Sequence, residues 1–202
     1  MVFTHGELTY IVMDAITGST LEAAAFNMGD TARERAAQQL RAAVDQLQSL
    51  TSISPSPGGE NYYGQWPGTS FASCNRRFGL KDTVPPFSSL RDLLSYIVPS
   101  PSQGLITVLE RELDGNVTRP VLTHGDLAPH NIIVDQNSGD ILAIVDWEMF
   151  GWYPAFWDRM FILKSCAQRC LRIALEPAFD GPLEPYLNRL GRKVLDLNPE
   201  VW

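Results

Sequence analysis

The chain has 202 residues, 45% hydrophobic and 19% charged, with a formal net charge of −7. That supports one sizeable core and excludes global disorder. So acidic a chain has no electrostatic footprint for nucleic acid or an anionic membrane, and the Arg76–Arg77 pair reads as a solvated loop.

The first 32 residues hold no Lys or Arg, so no basic n-region of a signal peptide is visible. The longest aliphatic runs, such as Ile141–Val145, are strand-sized and too short to span a bilayer. The expected location is cytoplasmic. Along the chain, "LTYIVMD" from Leu8 to Asp14 is rich in β-branched and aromatic residues and predicts a strand. "ITGSTL" then turns at Gly18. From Thr31 onward "TARERAAQQLRAAVDQLQSL" predicts a helix, with Thr31 and Glu34 at capping-box spacing and Leu40, Val44 and Leu47 on one apolar stripe.

Residues 51–87 are dense in Pro, Gly and Ser. A loop this long in a compact domain is usually functional. Its Tyr62, Tyr63, Trp66 and Phe71 either line a small-molecule site or seal the loop onto the core, and the sequence favours neither. Tyr62, Tyr63 and Trp66, with Trp152 further on, are candidate substrate-lining residues. Two helices are expected near 88–98 and 102–113. Of three cysteines, Cys166 and Cys170 fall at i, i+4 on an expected helix, and with no His or further Cys nearby they read as buried free thiols.

The most informative stretch is "HGDLAPHNIIVDQNSGDILAIVDW", His124 to Trp147. "VLTH" predicts a short strand ending at His124. Pro129 disfavours helical geometry at Ala128 and so predicts an extended loop around Asp126. "NIIVD" and "ILAIVD" flank the turn signal "QNSGD" and predict an antiparallel hairpin. With a loop of Asn137–Asp140, Ile132 faces Val145 and Asn131 faces Asp146. An amide oxygen and a carboxylate then converge, the hard ligands a cation such as Mg²⁺ takes. In extended chain Glu148 shares the face of Asp146, which makes it a candidate direct or outer metal group. Asp126, on its loop, suits orienting an attacking hydroxyl and accepting its proton. One such Asp would read as a turn cap; four polar groups on one loop and one hairpin point to chemistry.

H-x-D-x-x-x-x-N, a strand, a turn, a second strand and an Asp resemble the catalytic core of protein-kinase-like enzymes. With the trailing "DWEMFGWYPAFWD", the chain resembles the aminoglycoside phosphotransferase and choline kinase family, especially its fungal members. The resemblance implies a mixed α/β fold: a mostly helical kinase-like C-lobe with a catalytic β-hairpin (19–202) and a remnant N-terminal hinge strand (1–18). It implies Asp126 as catalytic base, Asn131 and Asp146 as Mg²⁺ ligands, His124 and Asp158 as supports of the catalytic loop, and Met13, Asp14 and Ala15 as the backbone facing the adenine of ATP. The implied reaction is phosphorylation of a small-molecule hydroxyl.

The family also uses a phosphate-covering loop and a strand lysine upstream of the hinge. Here the lysines are Lys81, Lys164 and Lys193, and no G-x-G-x-x-G occurs. Three readings follow: a phosphotransferase impaired by a missing nucleotide lobe, a repurposed enzyme of ATP-independent chemistry, or a non-catalytic binding remnant. An edge strand at Leu8–Met13 without its former neighbours is expected to give a homodimer, a covering loop or poor solubility.

Overall fold

The computed structural model describes residues 1–50, 63–65, 86–97, 104, 106, 107, 111 and 118–179. Tyr62, Trp66, Phe71, Cys74 and most of the helix expected near 102–113 lie outside them. The architecture is mixed α/β, with helices around three small sheets.

The first sheet is a hairpin, β1 (Val2–His5) against β2 (Leu8–Ile11). The expected strand thus exists, ends at Ile11 and has a partner, which the sequence reading missed. Every residue of the hairpin is exposed. After an irregular stretch, β3 (Ser19–Thr20) joins a second sheet. Gly18 is required there for space: a Cβ would stand 2.7 Å from Ile133 Cγ2 and 2.9 Å from the Val134 carbonyl oxygen.

Thr20 caps α1 (Leu21–Ala24), its hydroxyl accepting from Ala23 N–H at 3.2 Å. The main helix, α2, runs Asp30–Gln48. The Thr31 capping box does not form. Gly29 is the cap residue without a side-chain bond, and Asp30 pairs instead with Arg33 at 2.6 Å. The expected stripe is real, since Leu40 and Val44 are buried with Ala32, Ala36 and Ala37.

The catalytic-type hairpin forms from β6 (Ile132–Val134) and β7 (Ile141–Ile144), with β3 on the outer side of β6. Its register differs from the expectation by one residue at Ile132 and Ile133 and by two at Val134. Ile132 faces Ile144 and Ile133 faces Ala143, with a bulge before the Val134–Ile141 pair. Leu142 is the extra residue, and a bulge of this kind cannot be counted from turn length. Asn131 therefore does not face Asp146; its carbonyl accepts from Val145 N–H at 2.9 Å.

The third sheet places β8 (Gly151–Pro154) between β4 (Gly64–Gln65) and β5 (Pro120–Thr123). All of β8 is buried, and the sequence reading did not assign it a strand. Helix α3 (Leu90–Ile97) matches the expectation near 88–98. Helices α4 (Trp157–Ser165) and α5 (Arg169–Phe179) follow. Cys166 and Cys170 do not share a helix, because Cys166 ends α4 in extended geometry and Cys170 belongs to α5. Both are free thiols, and burial pushes the Cys166 thiol up to about 11.

One buried cluster joins α1, α2, β6, α4 and α5. Leu21, Leu40, Val134, Ile162, Leu171 and Leu175 are among its fully enclosed members, drawn from α1, α2, β6, α4 and α5. The hairpin is fixed to α2 at its turn as well. Arg35 Nε donates to Asp140 at 2.8 Å, and Gln39 Oε1 accepts from Ile141 N–H at 3.2 Å.

Candidate active site

The loop between β5 and β6 holds the site. Its start is fixed by Asp158 in the first turn of α4, which accepts from the backbone N–H of His124 at 2.8 Å and of Gly125 at 2.9 Å. Asp158 is fully buried, and burial pushes its carboxyl up to about 6 against the opposing pull of those two N–H groups. Trp157 Nε1 donates to the Gly125 carbonyl at 3.0 Å, so one helix turn grips both sides of that residue. Gly125 has φ +85, and a Cβ there would overlap the Met149 carbonyl, so both dihedral and space demand glycine.

His124 bridges loop and hairpin. Its Nδ1 accepts from Asp126 N–H at 3.3 Å, so the ring proton sits on Nε2, which donates to the Val145 carbonyl at 2.9 Å. Trp147 lies over the His124 ring at 4.6 Å and is itself fixed by Nε1 donating to the Ile144 carbonyl at 2.7 Å. Val44, Leu47, Leu127, Ile144 and Trp147 wall an apolar cavity of about 370 Å³ behind this pair, bordered also by His124 and Asp158.

Asp126 is 3% exposed. Ala128, with φ −128 and ψ 155, is extended as expected from Pro129, and Pro129–Asn131 then forms a short 3-10 turn. That turn aims the Asn131 amide back along the loop. Asn131 Nδ2 donates to the Asp126 carbonyl at 3.0 Å and to Asp126 Oδ2 at 3.3 Å. The NH₂ being committed, the amide oxygen is the atom left to meet a cation.

Asp146 stands one residue beyond the strand end, after Val145, and adopts a left-handed conformation, φ 65 and ψ 59, alone among the described non-glycine residues. Such geometry costs about 1–3 kcal/mol and gathers at functional sites. Its carboxylate is not spent on capping the 3-10 turn Trp147–Met149 that follows, and the residue is exposed. That turn replaces the extended chain expected here, so Glu148 does not share the face of Asp146 by strand alternation; it too is exposed.

Asn131 and Asp146 fit a hard divalent cation in donor type. Among the described residues no group of three or more His, Cys, Asp or Glu side chains gathers around a common point. A two-oxygen protein set suits Mg²⁺ in particular, which keeps several waters and is completed by substrate phosphates.

The remaining candidates fall elsewhere. Met13 is 77% exposed, and Asp14 and Ala15 lie in the irregular stretch before β3. Tyr63 is buried, its hydroxyl donating to the Thr118 carbonyl at 2.7 Å, with its pKa pushed up to about 12 by burial. Trp152 is buried in the middle strand of the third sheet. The placement of Tyr63 is that of an aromatic sealing its loop onto the core. The roles of Gly125, Trp147 and Trp157 were missed; the only signal for them is their place around the motif.

The phosphotransferase enzyme family model matches residues 2–191. A comparison with curated proteins finds no match. Among solved structures, an aminoglycoside-3'-phosphotransferase of type VIII aligns at TM-score 0.54 and 15% identity, over 98% of this chain and 71% of its own. The GDP and kanamycin complex of APH(2")-IIia aligns at 0.55 and 20% identity, over 91% of this chain and 59% of its own. The ADP-bound APH(2'')-Ib aligns at 0.50 and 14% identity, over 95% and 62%. At these identities the likeness is one of fold, and the chain spans less than two thirds of the last two. The family match, covering nearly the whole chain, carries the assignment: this chain belongs to the phosphotransferase enzyme family.

Proposed function

We propose that this site serves Mg²⁺- and ATP-dependent phosphorylation of a small-molecule hydroxyl. The observation that carries the reading is the Asn131 amide. It holds Asp126 Oδ2 at 3.3 Å while its backbone carbonyl binds Val145, the neighbour of Asp146. The proton-accepting group and the metal-binding oxygens are thereby tied into one unit.

In this reading Asp126 orients the acceptor hydroxyl and takes its proton. Asn131 aims Asp126 and offers its amide oxygen to Mg²⁺; Asp146 offers its carboxylate, with Glu148 as an exposed carboxylate nearby in sequence. His124 and Asp158 hold the loop in place without touching substrate. The backbone of Met13, Asp14 and Ala15 receives the adenine. Mg²⁺-ATP, when bound, supplies the phosphoryl group and neutralises its charge. The similar solved structures include a GDP and kanamycin complex of one protein and an ADP-bound form of another. A cationic amine bearing a hydroxyl suits a chain of net charge −7.

The lysines of this chain are Lys81, Lys164 and Lys193, all downstream of the hinge segment. The test is an assay of purified protein with Mg²⁺-ATP and a panel of amino sugars and amino alcohols. Transfer that falls about 10²–10⁴-fold in Asp126→Asn supports the proposal. ATP-independent product formation needing Asp126 would replace phosphoryl transfer altogether.

A further inference from the structure

The β1–β2 hairpin takes no part in the site, yet it carries an open edge of defined chemistry. Met1 and Val12 exchange both backbone bonds, at 2.7 and 2.8 Å. Pairs in an antiparallel ladder alternate between hydrogen-bonded and non-bonded. From the register, Phe3–Tyr10 and His5–Leu8 are then bonded, whereas Val2–Ile11 and Thr4–Thr9 are not. The N–H and C=O groups of Thr9 and Ile11 therefore point away from β1, to the outside.

Among the described residues nothing blunts that edge. From Leu8 to Met13 the sequence has no charge, no proline and no glycine, and the ladder has no bulge, the devices that normally prevent strand addition. A two-stranded hairpin is marginal alone, and a sheet of more strands is not. Directly opposed residues share a face, as the Phe3–Tyr10 stack at 5.1 Å shows, so Met1, Phe3, Leu8, Tyr10 and Val12 line one side at 40–84% exposure.

We infer that β2 pairs antiparallel with β2 of a second copy, forming a four-stranded sheet in the order β1-β2-β2-β1 across a two-fold axis at Tyr10. Three features single out a second copy as occupant. The edge is self-complementary in this register, since Thr9 meets Ile11 of the second copy through the outward-pointing groups of both. On the apolar side Tyr10 meets Tyr10 and Leu8 meets Val12, aromatic and aliphatic cross-strand pairs of the stabilising kind. Glu7 falls opposite Met13, so no like charges oppose each other despite a net charge of −7 per chain. A closed two-fold pairing also ends growth at the dimer, provided the β1 edges stay free.

Proline tests this cleanly. At Thr9 it removes only an outward N–H and leaves the β1–β2 bonds in place; at Thr4 it does the same to the opposite edge. Sedimentation across a concentration series is expected to give about twice 22.5 kDa for the wild type and for Thr4→Pro, and the monomer mass for Thr9→Pro. Hydrogen exchange supplies the second readout. Thr9 and Ile11 amides are expected to be slowed in the dimer and to speed up on dilution, while Phe3 and Tyr10 amides report that the hairpin persists in each variant. A wild type that stays monomeric with freely exchanging Thr9 and Ile11 amides overturns the inference. So does an oligomer that survives Thr9→Pro with the hairpin intact, or one abolished by Thr4→Pro.

Discussion

Asp158 shows how one buried carboxylate sets a site it never enters. Its two N–H bonds fix the backbone at His124 and Gly125, while burial raises its pKa to about 6. The unfolded chain has an ordinary Asp pKa of about 3.9. Between these values the folded state binds the extra proton, so this group's contribution falls as pH rises from about 4 to 6 and stays low above. Asp158→Asn cannot ionise. Thermal unfolding at a series of pH values is expected to show stability moving in favour of the variant, relative to wild type, by about 2–3 kcal/mol across that window. A constant difference would show that Asp158 does not titrate there. Gly125→Ala meets both a positive φ and the Met149 carbonyl, and is expected to lose about 3 kcal/mol or more in denaturant unfolding. The motif residues His124, Asp126, Asn131 and Asp146 were legible because their types recur at fixed spacing. Gly125 and Trp157 were not, because their roles exist only as contacts with Met149 and with each other.

At the scale of elements, the β6–β7 hairpin was legible in kind and not in register. Alternating apolar runs around "QNSGD" specify a hairpin, but its turn closes from Asp135 to Asp140, two residues off the expected register, and the bulge at Leu142 restores only one of them. Asn131 and Asp146 are placed by the 3-10 turn before β6 and the left-handed residue after β7, rather than by opposed strand positions. If these two residues hold the metal, Mn²⁺ added to labelled protein should broaden amide signals centred on Asn131 and Asp146, weakly without nucleotide. Asp146→Ala should abolish that centre; broadening elsewhere that ignores the substitution rejects it. The α2 start carries a similar lesson. Thr31 has capping-box spacing, yet the helix begins one residue earlier because Asp30 engages Arg33, whose Nε reaches the Ala25 carbonyl at 2.8 Å.

For the molecule as a whole, one core couples the site to the helices. Leu175 on α5 is fully buried with Leu40 and Val44 of α2 and Val134 of β6. Leu175→Ala is expected to cost about 2–5 kcal/mol in denaturant unfolding, and to do so in a single transition, since the elements share that core. A loss confined to α5, with the hairpin unaffected, would show that they unfold separately. No helix among the described residues is long and apolar enough to cross a membrane.

The sequence by itself determined the mixed fold, the main helix, the existence of the β6–β7 hairpin and the motif that holds His124, Asp126, Asn131 and Asp146, because residue type, periodicity and turn chemistry are local. Only the tertiary structure decided the register of the hairpin, the burial of Asp158, the strand at Gly151–Pro154 and the partnering of Leu8–Ile11 by Val2–His5. Each of these depends on what a segment meets in space: a bulge accommodated against β6, a desolvated carboxylate beneath a loop, a strand enclosed by two neighbours, and an edge left open beside a hairpin turn.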